Sequence, residues 1–269
     1  MLRKTISLCL LGIASLFGGG ISNALMAEGT TVQITEKEGK ISPSDSFVNN
    51  IERAKFALKK WAKANKDIMH QFDLFLQSLQ KGIDGNVLTK EKSEKVLRAV
   101  AFAAEKHKLH ARTNAQKTPY IIHPLGVADQ IMRIGNVYDV NVIVAALLHD
   151  VLDDTGTKRE EIVAQFGEKV ADYVDEMTEN LKLSSKERNK LQIIHALHQS
   201  HEVAVIKLSD KLHNLNTLMT DPPSGWSQDR MDQYFQWAQA VIENLPAVSD
   251  SLKGEVHKTI VKYWASQEN

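Results

Sequence analysis

Residues 141–157 read NVIVAALLHDVLDDTGT, an apolar run interrupted by His149, Asp150, Asp153 and Asp154. At about 100° per residue these four project at about 0°, 100°, 40° and 140° around a helix, and Leu147, Leu148, Val151 and Leu152 take the remaining arc. The pattern predicts one helix from Val142 to Thr157, buried on most of its circumference. An imidazole and three carboxylates cannot stay unpaired there, because a desolvated charge without a partner is strongly unfavourable. A bound divalent cation is the economical compensation.

Two further segments carry polar residues where apolar ones are expected. In VIKLSDKLHNL, from Val205 to Leu215, the residues Lys207, Asp210, Lys211 and Asn214 share an arc of about 100°, beside Leu208, Leu212 and Leu215. Asp210 is thereby a carboxylate at the edge of a buried face. His123, just before Pro124, is the third piece. The ordered set His123, His149, Asp150 and Asp210 offers two imidazoles and two carboxylates. Such a set suits a divalent ion of intermediate hardness, such as manganese, iron or zinc, with positions open for water and substrate.

The rest of the chain sets the frame. Its 269 residues allow one large domain with an appendage, and 43% hydrophobic with 25% charged residues is ordinary for a globular protein. Lys+Arg and Asp+Glu both total 33, so net charge points to neither nucleic acid nor an anionic membrane as partner. Arg3 and Lys4 precede an apolar segment, Ile6 to Phe17, then Gly18-Gly19-Gly20 and Ser22-Asn23-Ala24. This has the form of a secretory signal cleaved after Ala24, and the run is short for a membrane span. The expected location is therefore exported, periplasmic or secreted, with no membrane attachment after cleavage; a signal that does not function would leave the protein cytoplasmic. The one cysteine, Cys9, lies inside this segment, so the processed chain has neither a disulfide nor a thiol nucleophile.

Glu28 to Ser46 is polar and without period. Phe47, Ile51, Ala54, Leu58 and Trp61, then Phe72, Phe75, Leu76 and Leu79, predict two amphipathic helices joined near Asn65 as a hairpin packed on the main domain. Beyond Asp84-Gly85-Asn86, helices are expected from Thr89 to His107, Leu125 to Ile134, Lys158 to Phe166 with Thr157 as cap, Lys169 to Thr178, Ser185 to His201, Val203 to Leu218, Ser227 to Leu245 and Asp250 to Trp264. His107 to Gln116 reads as a basic loop. No alternating strand appears, and the class is all-α.

The H…HD…D series resembles the signature of the HD superfamily of metal-dependent phosphohydrolases. The motifs TPYIIHP, AALLHDVLDDT, KLSDKLHNL and GWSQDRMDQYFQWA narrow the resemblance to small alarmone hydrolases related to the RelA/SpoT hydrolase domain, especially the stand-alone metazoan SpoT homologue. It spans about Val96 to Leu245. It implies an HD-domain helical bundle over residues 89–269, preceded by the signal at 1–24 and by a polar leader and helical hairpin at 25–88. It also implies one bound Mn2+ and a small phosphorylated nucleotide as substrate, through hydrolysis of the 3′-pyrophosphate of guanosine tetra- and pentaphosphate. Relatives of this kind are also credited with removing the 2′-phosphate of NADPH, which makes an exported phosphatase of NADPH or other nucleotides the alternative, beside a catalytically weakened metal- or nucleotide-binding protein.

Carried over by motif, the resemblance gives metal ligation to His123, His149, Asp150 and Asp210 and management of the attacking water to Asp153 and Asp154. Asn214 falls near metal and ribose, Arg230 and Tyr234 at substrate phosphates, and Arg112 near the purine. Two positions depart from the family pattern: Asp153 stands where a glutamate is usual, and Arg112-Thr113 where an Arg-Lys pair is usual. His195, His198 and His201, spaced by three, read as a solvated helix face, with a second metal as the competing reading. Lys186, Arg188 and Lys190 likewise read as a solvated face.

Overall fold

The computed structural model describes residues 43–62 and 65–267; the expected signal segment and the polar leader up to residue 42 lie outside the described residues. Among the described residues the chain is all-α, and its only strand-like pairing is a bridge between Ala111 and Pro119. The helices are α1 (Pro43–Ala62), α2 (Lys66–Asp84), α3 (Lys90–Lys106), α4 (Ile122–Arg133), α5 (Val140–Leu148), α6 (Val151–Asp154), α7 (Arg159–Phe166), α8 (Glu168–Met177), α9 (Ser185–Ala196), α10 (His201–Thr220), α11 (Gln228–Asn244) and α12 (Asp250–Ala265).

Hydrophobicity decides what lies inside. Every residue of α5 from Val142 to Leu148 is buried, and α3, α4, α8 and α10 surround it. Burying a Val, Leu or Ile side chain contributes about 1.5–3 kcal/mol, so this short apolar helix is the natural axis of the core. α10 runs beside it and is buried continuously from Val203 to Leu212, against α4, α8, α11 and α12. A helix buried all round must satisfy its own polar side chains internally, and this one carries Lys207, Ser209, Asp210 and Lys211.

The single helix expected from Val142 to Thr157 is in fact broken. α5 ends at Leu148, Asp150 sits at φ −103°, ψ 0°, and α6 adds one separate turn. On a continuous helix adjacent side chains diverge by about 100° and do not face each other. Here the His149 imidazole and the Asp150 carboxylate meet at 2.9 Å. The break is what lets both point to one place.

Other boundaries shift for local reasons. Thr157 does not cap α7: its hydroxyl meets that of Thr155 at 2.6 Å, and the Glu161 carboxylate accepts the Lys158 amide at 3.1 Å. The helix expected from Ser185 to His201 stops at Ala196, and Ser200 starts α10, its hydroxyl accepting the Val203 amide while Glu176 accepts the Ser200 N–H and O–H. Asn65 caps α2. The hairpin expected at the N-terminal side is looser than a hairpin: α1 and α2 scarcely touch, α1 lying along α3 and α2 along α4. Their Ala54, Leu58, Phe72, Phe75 and Leu79 belong to the common core.

α2 and α4 are joined by one polar tie in that interface. The Ser78 hydroxyl donates to the buried Asp129 carboxylate at 2.6 Å, and Arg133 donates to its other oxygen at 3.0 Å from a largely exposed position. Ser78→Ala leaves a buried carboxylate oxygen short of a donor. It should lower unfolding free energy by about 1–3 kcal/mol in chemical denaturation, with metal affinity unchanged.

Candidate metal centre

Three elements bring the cluster together. His123 enters from the first turn of α4, His149 and Asp150 from the break after α5, and Asp210 from the middle of α10. The His123 and His149 Nε2 atoms lie 3.2 Å apart, and Asp210 Oδ1 is 3.2 Å from the first and 3.9 Å from the second. These three ligand atoms lie within 4.8 Å of one another, and all three residues are buried. Asp150 Oδ2 approaches from the more open side, 2.9 Å from His149 Nε2 and 3.7 Å from His123 Nε2.

The neighbours fix how each ligand presents its lone pair. The Ala146 carbonyl accepts from His149 Nδ1 at 2.8 Å, so the neutral imidazole turns an unprotonated Nε2 to the cluster. His123 Nδ1 faces His213 Nδ1 at 3.0 Å. The Tyr120 hydroxyl donates to Asp150 Oδ2 at 2.5 Å. Asp210 accepts from Asn214 Nδ2 at 2.7 Å and from Lys211 Nζ at 3.0 Å. Two nitrogen lone pairs and the Asp210 carboxylate converging on one buried point, with the Asp150 carboxylate at its open side, fit a divalent cation.

The electrostatics show how strongly the cluster draws a positive charge, whether a proton or a cation. Burial holds His123 down to about 4 against the pull of Asp210. Burial also opposes charge on His149, but the Asp150 carboxylate overrides it and pushes the imidazole up to about 9. Burial works against ionisation of Asp210, and Lys211 and His123 outweigh it, holding its carboxyl well below the usual range. In Asp153 burial dominates and raises the carboxyl to about 6, helped by Asp150, Glu179 and Asp154 and opposed by the Glu179 amide. Asp154 is raised as well, first by burial and then by Asp150.

Beside the cluster lies a cleft lined by Arg112, Thr113, Tyr120, Asn214, Trp226 and Tyr234, among others. Arg112 reaches it because its loop is closed. The Arg112 amide donates to the Thr118 carbonyl at 2.7 Å, the Tyr120 amide to the His110 carbonyl at 2.9 Å, and buried Asn114 bonds Thr118 and Asp221. The Arg112 guanidinium donates to Asn214 Oδ1 at 2.8 Å and lies 5.6 Å from the Tyr120 ring centre. Arg112, Asn214 and Asp210 thus form a chain from the cleft to the cation pocket.

Of the remaining expected residues, Tyr234 stands between Trp226 and Trp237, with ring centres 5.8 and 5.1 Å away. Arg230 is exposed at the rim, 4.3 Å over the Trp226 ring. Asp153 turns both oxygens to the Glu179 amide at 3.2–3.3 Å, and Asp154 is exposed. His195, His198 and His201 are exposed and belong to no cluster of ligands among the described residues. Arg188 departs from the solvated face expected for it: it is half-buried, paired with Glu179 at 2.7 Å and donating to the Leu183 carbonyl at 3.0 Å. Tyr120, His213 and Lys211 are contacts that reading the sequence leaves unassigned. Tyr120 lay in the TPYIIHP motif, and Lys211 and His213 in KLSDKLHNL, which was the available signal.

A family model described as HD domain matches residues 99–236, and the chain belongs to the HD domain family. Within that class, it is 45% identical over 161 residues to the guanosine-3′,5′-bis(diphosphate) 3′-pyrophosphohydrolase MESH1 of Xenopus tropicalis, covering 60% of this chain and 90% of that one. The Homo sapiens protein of the same name is 40% identical over 158 residues, covering 59% of this chain and 88% of that one. A solved structure of a metazoan ortholog of SpoT that hydrolyzes ppGpp superposes with a TM-score of 0.61 at 37% identity, over 63% of this chain and 95% of that one.

Gly126 of α4 makes the His213 contact possible. A Cβ there would fall 2.3 Å from the His213 ring atoms Cδ2 and Nε2. Gly126→Ala should therefore displace His213 from His123 and weaken divalent-metal binding by about 10–100-fold while the helices persist, as read by calorimetric metal titration beside circular dichroism.

Proposed function

We propose that the protein is a guanosine-3′,5′-bis(diphosphate) 3′-pyrophosphohydrolase that works with a divalent metal, Mn2+ for preference. The observation that carries this reading is the continuous polar path from a buried His-His-Asp pocket through Asn214 to Arg112 in the adjoining cleft. His123, His149, Asp150 and Asp210 would hold the ion. When bound, it polarises a phosphoryl oxygen and acidifies water.

The chain's own groups then divide the work. Arg112, Asn214 and Tyr234 line the cleft where a nucleoside and its phosphates would lie, and Arg230 at the rim offers a planar fork to phosphate oxygens. Asp153 and Asp154 orient the attacking water and take its proton. The water oxygen bonds to the phosphorus carried on O3′ and the P–O3′ bond breaks. Pyrophosphate departs with the water oxygen, and O3′ receives a proton. Asp153 is anchored by the Glu179 amide, and that anchor suits a carboxylate one methylene shorter than glutamate.

Export rests on the sequence of residues 3–24 alone. No helix among the described residues is long and apolar enough to cross a membrane. On this reading the protein acts as an exported hydrolase, and NADPH, as an alternative phosphorylated nucleotide, belongs in the same assay.

The purified protein with Mn2+ should release pyrophosphate from guanosine-3′,5′-bis(diphosphate) faster than phosphate from NADPH or nucleoside monophosphates. Absence of release from all of them, with metal shown to be bound, would sink the hydrolase reading. Asp153→Glu tests the short carboxylate: higher turnover identifies a weakened water position, and lower turnover a site retuned around aspartate. Because the raised Asp153 carboxyl must be ionised to accept a proton, kcat/KM should fall with acidification along a limb no higher than about pH 6, and Asp153→Asn should abolish that limb.

A further inference from the structure

Resting on the hydrolase reading, we propose that Lys207 receives the terminal phosphoryl group of the substrate's 3′-diphosphate and so selects a diphosphate over a monophosphate.

Two lysines of α10 are buried beside the metal pocket, and they are not equivalent. Lys211 is 4% exposed and already engaged, with Asp210 at 3.0 Å and the Trp237 ring centre at 4.4 Å. Lys207 is 6% exposed, and its ammonium makes no hydrogen bond or ion pair. A lysine this deeply packed, whose ammonium keeps only a little contact with solvent, is costly without a partner, and such groups normally have one. The cost shows as a downward push to about 8, from burial first and Lys211 second, resisted by Asp210, Glu179 and Asp150. It still leaves the group cationic at neutral pH. An unpartnered cation close enough to the pocket carboxylates to feel Asp210, Glu179 and Asp150 is completed by an anionic oxygen.

Position along α10 says which oxygen. At about 1.5 Å per residue, Asn214 lies about 6 Å beyond Asp210 along the axis, and Lys207 about 4.5 Å before it. Asn214 belongs to the cleft that takes the nucleoside. A substrate laid from Asn214 across Asp210 puts its reacting phosphorus at the cation pocket and its next phosphoryl group at Lys207. A monophosphate ends before reaching it.

The rival role is a counter-charge for the surrounding carboxylates, and the two differ in what they move. In the metal-loaded full chain, Lys207→Met should weaken inorganic pyrophosphate binding by about tenfold or more. Inorganic phosphate binding and metal affinity should stay within about twofold, and thermal stability should hold or rise, since an apolar isostere removes an unpaired charge. Lys207→Arg should restore part of the pyrophosphate affinity. Lys207→Gln, which keeps polarity without the charge, should show the same selective loss if the Met variant folds poorly. Equal loss of phosphate and pyrophosphate affinity, or no loss of pyrophosphate affinity, overturns the assignment. Calorimetry needs no turnover, so selective pyrophosphate binding by a protein that hydrolyses nothing would leave Lys207 in place and remove only the hydrolase reading.

Discussion

Two imidazole nitrogens 3.2 Å apart, with a carboxylate oxygen 3.2 Å from one of them, are the arrangement on which the rest of this structure depends. When both rings are neutral and His149 Nδ1–H donates a hydrogen bond to the Ala146 carbonyl, lone pairs face one another in a buried place. Such a cluster repels itself unless something positive sits among its members, either a proton on one ring or a metal ion. The packed helices around it hold the ligands against that repulsion. α5 is buried on all sides from Val142 to Leu148, and α10 from Val203 to Leu212, so neither ligand-bearing backbone can relax away without opening the core. The apolar frame thus stabilises a polar arrangement that is unfavourable by itself until the cation arrives.

The secondary contacts show how far the constraint spreads. His123 needs His213, and His213 needs the missing side chain at Gly126. Asp150 needs Tyr120, whose backbone is placed by the loop closed between His110 and Thr118. That same loop delivers Arg112 to Asn214, and Asn214 orients Asp210. The cleft and the candidate metal pocket are therefore coupled through shared residues, and a change in loop 107–121 is felt in both.

Much of this was legible in the chain itself. The four ligand candidates could be chosen because polar residues in strongly apolar runs demand an explanation, and the helical class followed from spacings of three and four without any alternating stretch. The break between Leu148 and Asp150 was not legible, because the apolar pattern continues across it and only the tertiary pull of Tyr120 and His123 on Asp150 marks the place. The docking of α1 on α3 and of α2 on α4 was also hidden: amphipathic faces reveal that a helix is buried, not against what. Likewise Lys207 and Lys211 share one arc in the sequence, but only the structure shows Lys211 engaged by Asp210 and Trp237 and Lys207 left without a partner.

That difference bears on how an anionic substrate is received at all. Asp150, Asp153, Asp154, Asp210 and Glu179 gather around the pocket, and a nucleotide carrying several phosphates would meet their combined field. Arg188 is committed to Glu179 and Lys211 to Asp210, so neither offers its full charge to a ligand. Arg112 spends one arm on Asn214 and keeps the other donors of its fork for the cleft. Attraction would therefore come from a cation held in the pocket, from the open side of Arg112, from Arg230 at the rim and from Lys207. Of these, a cation held by His123, His149, Asp150 and Asp210 would be adjacent to both carboxylate ligands, and its charge would offset their field for a phosphate chain lying across Asp210.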